Sequence, residues 1–253
     1  MKRRTVRKTR KEKIADPDST GRKVNEKFAH EHRSPPLSAK TEKQKQYLQM
    51  LLDPSVQVIV CRGLFGVGKS FLSASVAADK FMKNEISKII VARPYVQTGK
   101  SSGAKPGTSL QKLYPYVRNV LDPIRKRMGS AKFDIALADG ERGDIQVQEI
   151  ESIRGRSFDE QSWLLIEEAQ QTTPDEMKAI VTRIGDNCKL IVSGDLSQKD
   201  IKGESGLAWF LEFVERHHVP GVATITFDSP SDIVRGGVVR NIAIGLAKDD
   251  GLL

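Results

Sequence analysis

The run GLFGVGKS, Gly63 to Ser70, sets Gly63, Gly68, Lys69 and Ser70 at the spacing G-x-x-x-x-G-K-S, with Gly66 as a further glycine inside it. Glycines at such places let backbone N–H groups turn inward around phosphate oxygens, and a helix starting at the end of the run adds its positive N-terminus to the same anion. Lys69 would reach the β- and γ-phosphates of a nucleoside triphosphate and Ser70 would ligate Mg2+, while Val67 and Phe71 complete the loop's wall. A loop of this kind also needs an acidic strand end. The run LLIEEAQ supplies one, with Glu167 placed to hold the ion and Glu168 to face the γ-phosphate as general base. A third run, SGDLSQ from Ser193 to Gln198, brings Asp195 and Gln198 to the carboxyl edge of a strand, where ligands of parallel sheets bind. Gln198 could there contact the γ-phosphate and the attacking water.

Each of these runs has a plainer reading. A glycine-rich turn can be empty, two glutamates can simply open a solvated helix, and GDLSQ alone can be a turn with a helix cap. What separates the readings is the elements around them. Val56 to Cys61 is a short β-branched strand before the glycine run, and Phe71, Ala74, Val76, Ala77 and Phe81 recur at helical spacing after it. Further strands are predicted at Lys88–Ala92, Trp163–Glu167, Lys189–Ser193 and Val222–Phe227, and DIQVQEI is a candidate for another. KTEKQKQYLQMLL and the proline-interrupted LYPYVRNVLDPIRKRM read as helices. Apolar strands alternating with helices indicate an α/β fold: a mainly parallel sheet covered on both faces in three layers.

The chain has 253 residues, 38% of them hydrophobic, which fits one large α/β domain with an arm rather than two large domains. The net charge of +9 is unevenly spread. Residues 1–45 hold 15 Lys and Arg against 6 Asp and Glu, and residues 88–132 hold 10 basic residues with Asp122 as the lone acid. Residues 1–37 have the composition of a disordered basic arm, either a solubilising tail or a phosphate-binding one. The body is expected over 38–245, with a tail over 246–253. No run is long enough for a transmembrane helix and the basic N-terminus has no apolar stretch behind it, so a soluble, cytoplasmic protein without membrane partners is expected. Cys61 and Cys188 sit in strand-like runs and are expected as buried thiols, and the four histidines as surface residues.

In order and spacing, GLFGVGKS, ARPYVQTGK, RGRSFDEQSWLLIEEAQQTTPDEMKAIVTRIG, SGDLSQKDI and SDIVRGGVVRNI resemble the PhoH-like ATPases, over about residues 38–245. That family is similar to the first motor domain of superfamily-one helicases. The resemblance implies a P-loop NTPase with a single RecA-like core, ATP as ligand, and a role in RNA or DNA metabolism. It departs at one place: the family usually carries Asp-Glu where this chain has Glu167-Glu168. The resemblance also points to Gln44 as a contact to the adenine edge. Read from the residues alone, Gln44 is one of several polar residues on an exposed helix, and Gln46 could serve instead. The absence of an N-K-x-D run favours adenine over guanine. Because one core leaves no second domain to supply an arginine to the transferred phosphoryl group, the resemblance implies a homo-oligomer, as a hexameric ring. Arg235, then Arg240, would be offered to a neighbour, with Arg183 as a sensor within the subunit; the plainer reading of Arg235 and Arg240 is as ordinary surface or salt-bridged arginines on a C-terminal helix.

Two functions compete. The first is an Mg2+-dependent ATPase acting on single-stranded RNA or DNA as a helicase-like or remodelling motor, because Tyr95, Tyr114 and Tyr116 lie among the basic residues of 88–132 and bases stack on aromatics while charges follow phosphates. Those tyrosines can also be core residues. The second is an ATP-dependent assembly or regulatory protein that controls a protein partner without moving nucleic acid.

Overall fold

The computed structural model describes residues 34–94, 109–138, 142–158 and 160–249. The arm up to residue 33, Tyr95, Lys100 and Lys105 of the basic segment, and residues 250–253 of the expected tail lie outside the described residues.

Six strands form one parallel sheet: β1 (Val58–Gly63), β2 (Lys88–Arg93), β3 (Ile145–Glu149), β4 (Ser162–Ile166), β5 (Cys188–Gly194) and β6 (Val222–Phe227), in the order β3-β2-β4-β5-β1-β6. Every pairing is parallel, with Val60 opposite Val192 and Thr224, and Ala92 opposite Ile166. The near-continuous apolar character of the strands follows from burial on both faces. Ile59, Cys61, Ile89, Val91, Trp163, Leu165 and Ile191 point into one core, while Val58, Val60, Ile90, Leu164, Ile166, Leu190 and Val192 point into the other.

Helices α1 (Glu42–Leu52), α2 (Lys69–Met82), α3 (Ser109–Met128), α4 (Ser130–Leu137) and α8 (Gly237–Asp249) cover the first face. Helices α5 (Ile150–Ile153), α6 (Pro174–Val181) and α7 (Gly206–His217) cover the second, which makes the three layers expected from the sequence. Local chemistry fixes several ends. Thr41 caps α1 through the Gln44 N–H, and Thr173 with Glu176 forms a reciprocal capping box on α6, whose first residue is Pro174; such caps contribute about 1 kcal/mol each. α3 keeps Pro115 and Pro123 inside it, so one helix spans the interruptions foreseen in the sequence.

Two expected boundaries move. Residues 34–37, assigned to the arm, are packed on the body: Ser34 Oγ donates to the Arg127 carbonyl, Arg127 Nη2 donates to the Pro35 carbonyl, and Leu37 lies against the first core. At the other end α8 passes residue 245 without a break, because Ala243 and Ala247 are both buried one turn apart. Both cysteines are buried free thiols, and His217 and His218 are exposed. No helix among the described residues is long and apolar enough to cross a membrane.

The arrangement places the ends of β1, β4, β5 and β2 along one carboxyl edge. β5 stands between the strand before the glycine run and the strand before Glu167, a neighbourhood that no local pattern in the sequence specifies.

Candidate nucleotide site

The loop between β1 and α2 is shaped by close backbone approach. A side-chain carbon at Gly63 (φ 140°) would overlap the Phe227 carbonyl of the neighbouring strand, and Gly68 enters α2 from the left-handed region at φ 89°. Lys69 curls back over this loop, its Nζ donating to the carbonyls of Gly63 (2.6 Å) and Leu64 (2.9 Å). Ser70, in the first turn of α2, donates its hydroxyl to Glu167 Oε2 at 2.6 Å.

Glu167 follows the last residue of β4, and its N–H donates to the Ala92 carbonyl at the end of β2 (2.9 Å). It is buried, and the burial, helped by the Glu168 charge, raises its pKa to about 7 against the lowering effects of the Ser70 hydrogen bond, Lys69 and Asn119. Its Oε1 is buried without a partner among the described residues. A buried carboxylate with one orphaned oxygen, joined to a serine hydroxyl, fits the donor set of a hard divalent cation. Glu168 sits at φ 52°, a left-handed conformation that costs a non-glycine residue about 1–3 kcal/mol and gathers at functional sites. Its Oε2 accepts from Gln170 Nε2 (2.6 Å), and Gln170 Oε1 accepts the Asp195 N–H (3.1 Å). Asp195 in turn accepts from Gln198 Nε2 (3.0 Å) and from the N–H and hydroxyl of Ser197. Gln170 thereby ties the ends of β4 and β5 into one hydrogen-bonded chain.

These residues line a cleft of about 550 Å3 that gathers Gln44, Gly66, Val67, Gly68, Lys69, Ser70, Phe71, Glu167, Glu168, Asp195, Gln198 and Arg235. Gly63 lies just beneath it, through its carbonyl bond to Lys69. The cleft is the right size for a nucleotide-sized molecule, and its wall combines a backbone cradle, one lysine and two adjacent carboxylates.

Three expectations change. Gln44 does not lie on an exposed face: it is buried, donating Nε2 to the Val67 carbonyl (2.8 Å) and accepting the Lys40 N–H (2.7 Å), whereas Gln46 is exposed. The helical face that repeats through Gln44, Tyr47 and Leu51 turns inward, which decides between the two glutamines. Arg183 is not in the cleft. α6 runs back from the carboxyl edge, and Arg183 follows its end, with its carbonyl bound by Phe158 N–H ahead of β4, so it stands at the amino edge of the sheet. Arg235 is in the cleft of its own subunit: Val234 N–H donates to the Gly66 carbonyl (3.1 Å), and a side-chain carbon at Gly66 would stand 2.8 Å from Arg235 Cγ. It reaches the loop without a neighbour. Arg240 is outside the cleft, with Nη2 on the Pro230 carbonyl at 3.3 Å.

Sequence reading missed Ser38, Lys40, Asn119 and Ser193, which also line the cleft, and gave no role to Gln170. Ser193 and Gln170 stand inside the runs already singled out. Asn119 comes from the middle of α3, where only its fold places it near Glu167.

The chain matches the family described as PhoH-like protein over residues 36–245. It is 35% identical to Protein PhoH of Escherichia coli strain K12 over 189 residues, covering 74% of this chain and 52% of that protein. It is 33% identical to a PhoH-like protein of Synechocystis over 208 residues, covering 81% and 61% respectively. The chain thus spans between half and two thirds of the length of these relatives. Among solved structures, the large terminase of a thermophilic bacteriophage superposes with a TM-score of 0.50 at 14% identity, over 80% of this chain and 48% of that one, and the same terminase is known in complex with ADP. That likeness shows a shared α/β fold, and the match over 36–245 establishes that the chain belongs to the PhoH-like family.

Proposed function

We propose that the protein is an Mg2+-dependent ATPase that acts on single-stranded RNA or DNA. The observation that carries the hydrolase reading is the convergence of Lys69, Ser70, Glu167 and Glu168 on one cleft. With ATP as substrate, the loop N–H groups and Lys69 hold the β- and γ-phosphates. Ser70 and Glu167 would hold Mg2+, which neutralises phosphate charge when bound. Glu168 takes the proton from the attacking water, and Gln198, fixed by Asp195, orients that water. Arg235, beside Gly66, stabilises the charge that grows on the transferred phosphoryl group. Gln44 fastens the loop to the start of α1, next to Lys40 and Ser38, where the adenine would lie.

The single-strand reading rests on α3 and its neighbour Arg93. Arg93, at the end of β2, lies 5.5 Å from the centroid of the Tyr116 ring, and Tyr116 is 39% exposed. An exposed tyrosine backed by a guanidinium suits a stacked base, with Lys112 and Arg118 on the same helix for phosphates. The exposed Val238, Val239, Ile242 and Leu246 of α8 supply an apolar surface for association with further copies of the chain, in a ring.

The test is hydrolysis measured with single- and double-stranded RNA and DNA, together with binding across a salt series. Single strands should stimulate turnover, and Lys112→Glu should weaken single-strand binding and flatten its salt dependence. Neither binding nor stimulation at low salt would transfer support to the reading of an ATP-dependent regulator of a protein partner.

A further inference from the structure

Resting on the single-strand reading above, we propose that Asn119 is a positioning residue that couples strand binding on α3 to the nucleotide cleft through Glu167. Two connections leave Glu167 and meet again on a single turn of α3. The first is through the side chain: Asn119 Nδ2 donates to Glu167 Oε2 at 3.4 Å, the same oxygen that accepts Ser70 Oγ. The second is through the backbone. Glu167 N–H holds the Ala92 carbonyl, and the next residue, Arg93, donates Nη1 to the Tyr116 carbonyl at 2.9 Å while its guanidinium covers the Tyr116 ring. Tyr116 and Asn119 are three residues apart, so they share one side of the helix, one end of that turn facing the strand and the other facing the cleft.

Two prolines bracket that turn. Neither Pro115 nor Pro123 has an N–H to give to the helix ladder. The ladder is therefore interrupted at both ends of residues 116–119, while Leu113, Val117, Val120 and Leu121 keep the helix seated on the core. Glu167 Oε2 is shared between a short bond from Ser70 and a long one from Asn119. A change in what Glu167 holds alters the weaker bond first, and through it the position of the turn that presents Tyr116. Reciprocally, a base stacked on Tyr116 fixes that turn and so biases the Glu167 side chain. Such a link must be equal in both directions.

The experiment measures affinity, not turnover. Full-length protein is titrated with a labelled oligouridylate and the matching oligothymidylate, with and without a saturating non-hydrolysable ATP analogue and Mg2+. The reverse titration uses a fluorescent nucleotide with and without saturating strand. The wild-type protein should show the same nucleotide-dependent change in strand affinity from both directions, about 5- to 150-fold. Asn119→Leu should bring that factor to about one, whatever its effect on each affinity measured alone, and Asn119→Gln, which keeps an amide, should restore part of it. Asn119 is solvent-exposed at the cleft wall, so the substitution spares the core. A wild-type factor that survives in Asn119→Leu overturns the inference and leaves the strand-binding reading standing. A factor lost equally in Asn119→Leu and Asn119→Gln also overturns it, because the loss then does not depend on the amide that reaches Glu167. Wild-type protein that binds neither strand removes both.

Discussion

Ser70 Oγ lies 2.6 Å from Glu167 Oε2 across 97 residues of sequence, and this contact joins the loop that would hold phosphates to the strand end that would hold the cation. Glutamate is one methylene longer than the aspartate usual in the family at this place. The extra length is accommodated here by burial of the whole side chain and by a direct bond to the serine.

Adjacent glutamates in such different settings should separate cleanly by substitution. Glu168→Gln keeps the shape but removes the base, so it should bind ATP and lose about 10²- to 10⁴-fold in turnover. Glu167→Gln removes charge beside Ser70 and should instead weaken Mg2+-dependent nucleotide binding. Lys69→Ala should cost at least about 10²-fold in turnover through the lost charge on the phosphates. Nucleotide affinity and single-turnover rates measured on the three variants check this; turnover abolished by Glu167→Gln with tight binding intact, and spared by Glu168→Gln, would exchange the two roles.

Gln44→Ala should loosen the glycine loop. The substitution leaves the Val67 carbonyl and the Lys40 N–H without the amide that joins them, and an unmet buried polar group costs about 1–3 kcal/mol. Nucleotide affinity should fall about tenfold and the thermal midpoint should drop by about 2–4 °C per kcal/mol lost, whereas Gln46→Ala should leave both alone because Gln46 is exposed. An equal effect of the two substitutions on affinity would place the loop's anchor elsewhere.

How these glutamines differ shows where legibility ends. The glycine run, the acidic pair and Asp195–Gln198 were readable because each lies at the end of an apolar strand, and the carboxyl edge of a parallel sheet gathers strand ends automatically. Gln44 and Gln46 have the same chemistry two residues apart, and only packing against Tyr47's side of α1 separates them. Asn119 belongs to a helix that approaches the cleft across the sheet face, a relation with no local trace. The resemblance offered Arg183 as a sensor within the subunit, but α6 returns to the far edge of the sheet before reaching it.

Cys61, in the strand before the glycine loop, should be chemically silent in the native protein. Burial pushes its thiol from 9.0 up to about 12, so the reactive thiolate is scarce at neutral pH. The sign for stability follows from the same shift. The native state keeps the proton after the unfolded chain has lost it, so the contribution is complete below pH 9.0 and is lost progressively as pH rises toward about 12. Alkylation with iodoacetamide should label Cys61 only in denaturant, and Cys61→Ala should lose less stability than the wild type between pH 9.0 and about 10. Rapid labelling of Cys61 in the folded protein would contradict the burial on which both expectations stand.

Arg235 bears on how the site is completed. The resemblance implied an arginine given to a neighbouring subunit, and mixing an inactive Lys69→Ala protein with an inactive Arg235→Ala protein would then restore part of the activity. The placement of Arg235 within one chain favours the opposite outcome. Val234 is bonded to Gly66, and Arg235 follows it into the cleft of its own chain, so each polypeptide carries both Lys69 and Arg235 to the same cleft. Mixtures of the two variants should therefore stay inactive at every ratio, and Arg235→Ala should lose about 10³-fold or more in turnover by itself. Self-association is a separate proposal that rests on α8, where Val238 is 72% exposed and Ile242 55%. Ile242→Lys should lower the mass seen by light scattering without disturbing nucleotide affinity, since Ile242 is exposed and is not among the cleft-lining residues. Activity recovered on mixing the Lys69 and Arg235 variants would return Arg235 to its neighbour and require that subunits share the site.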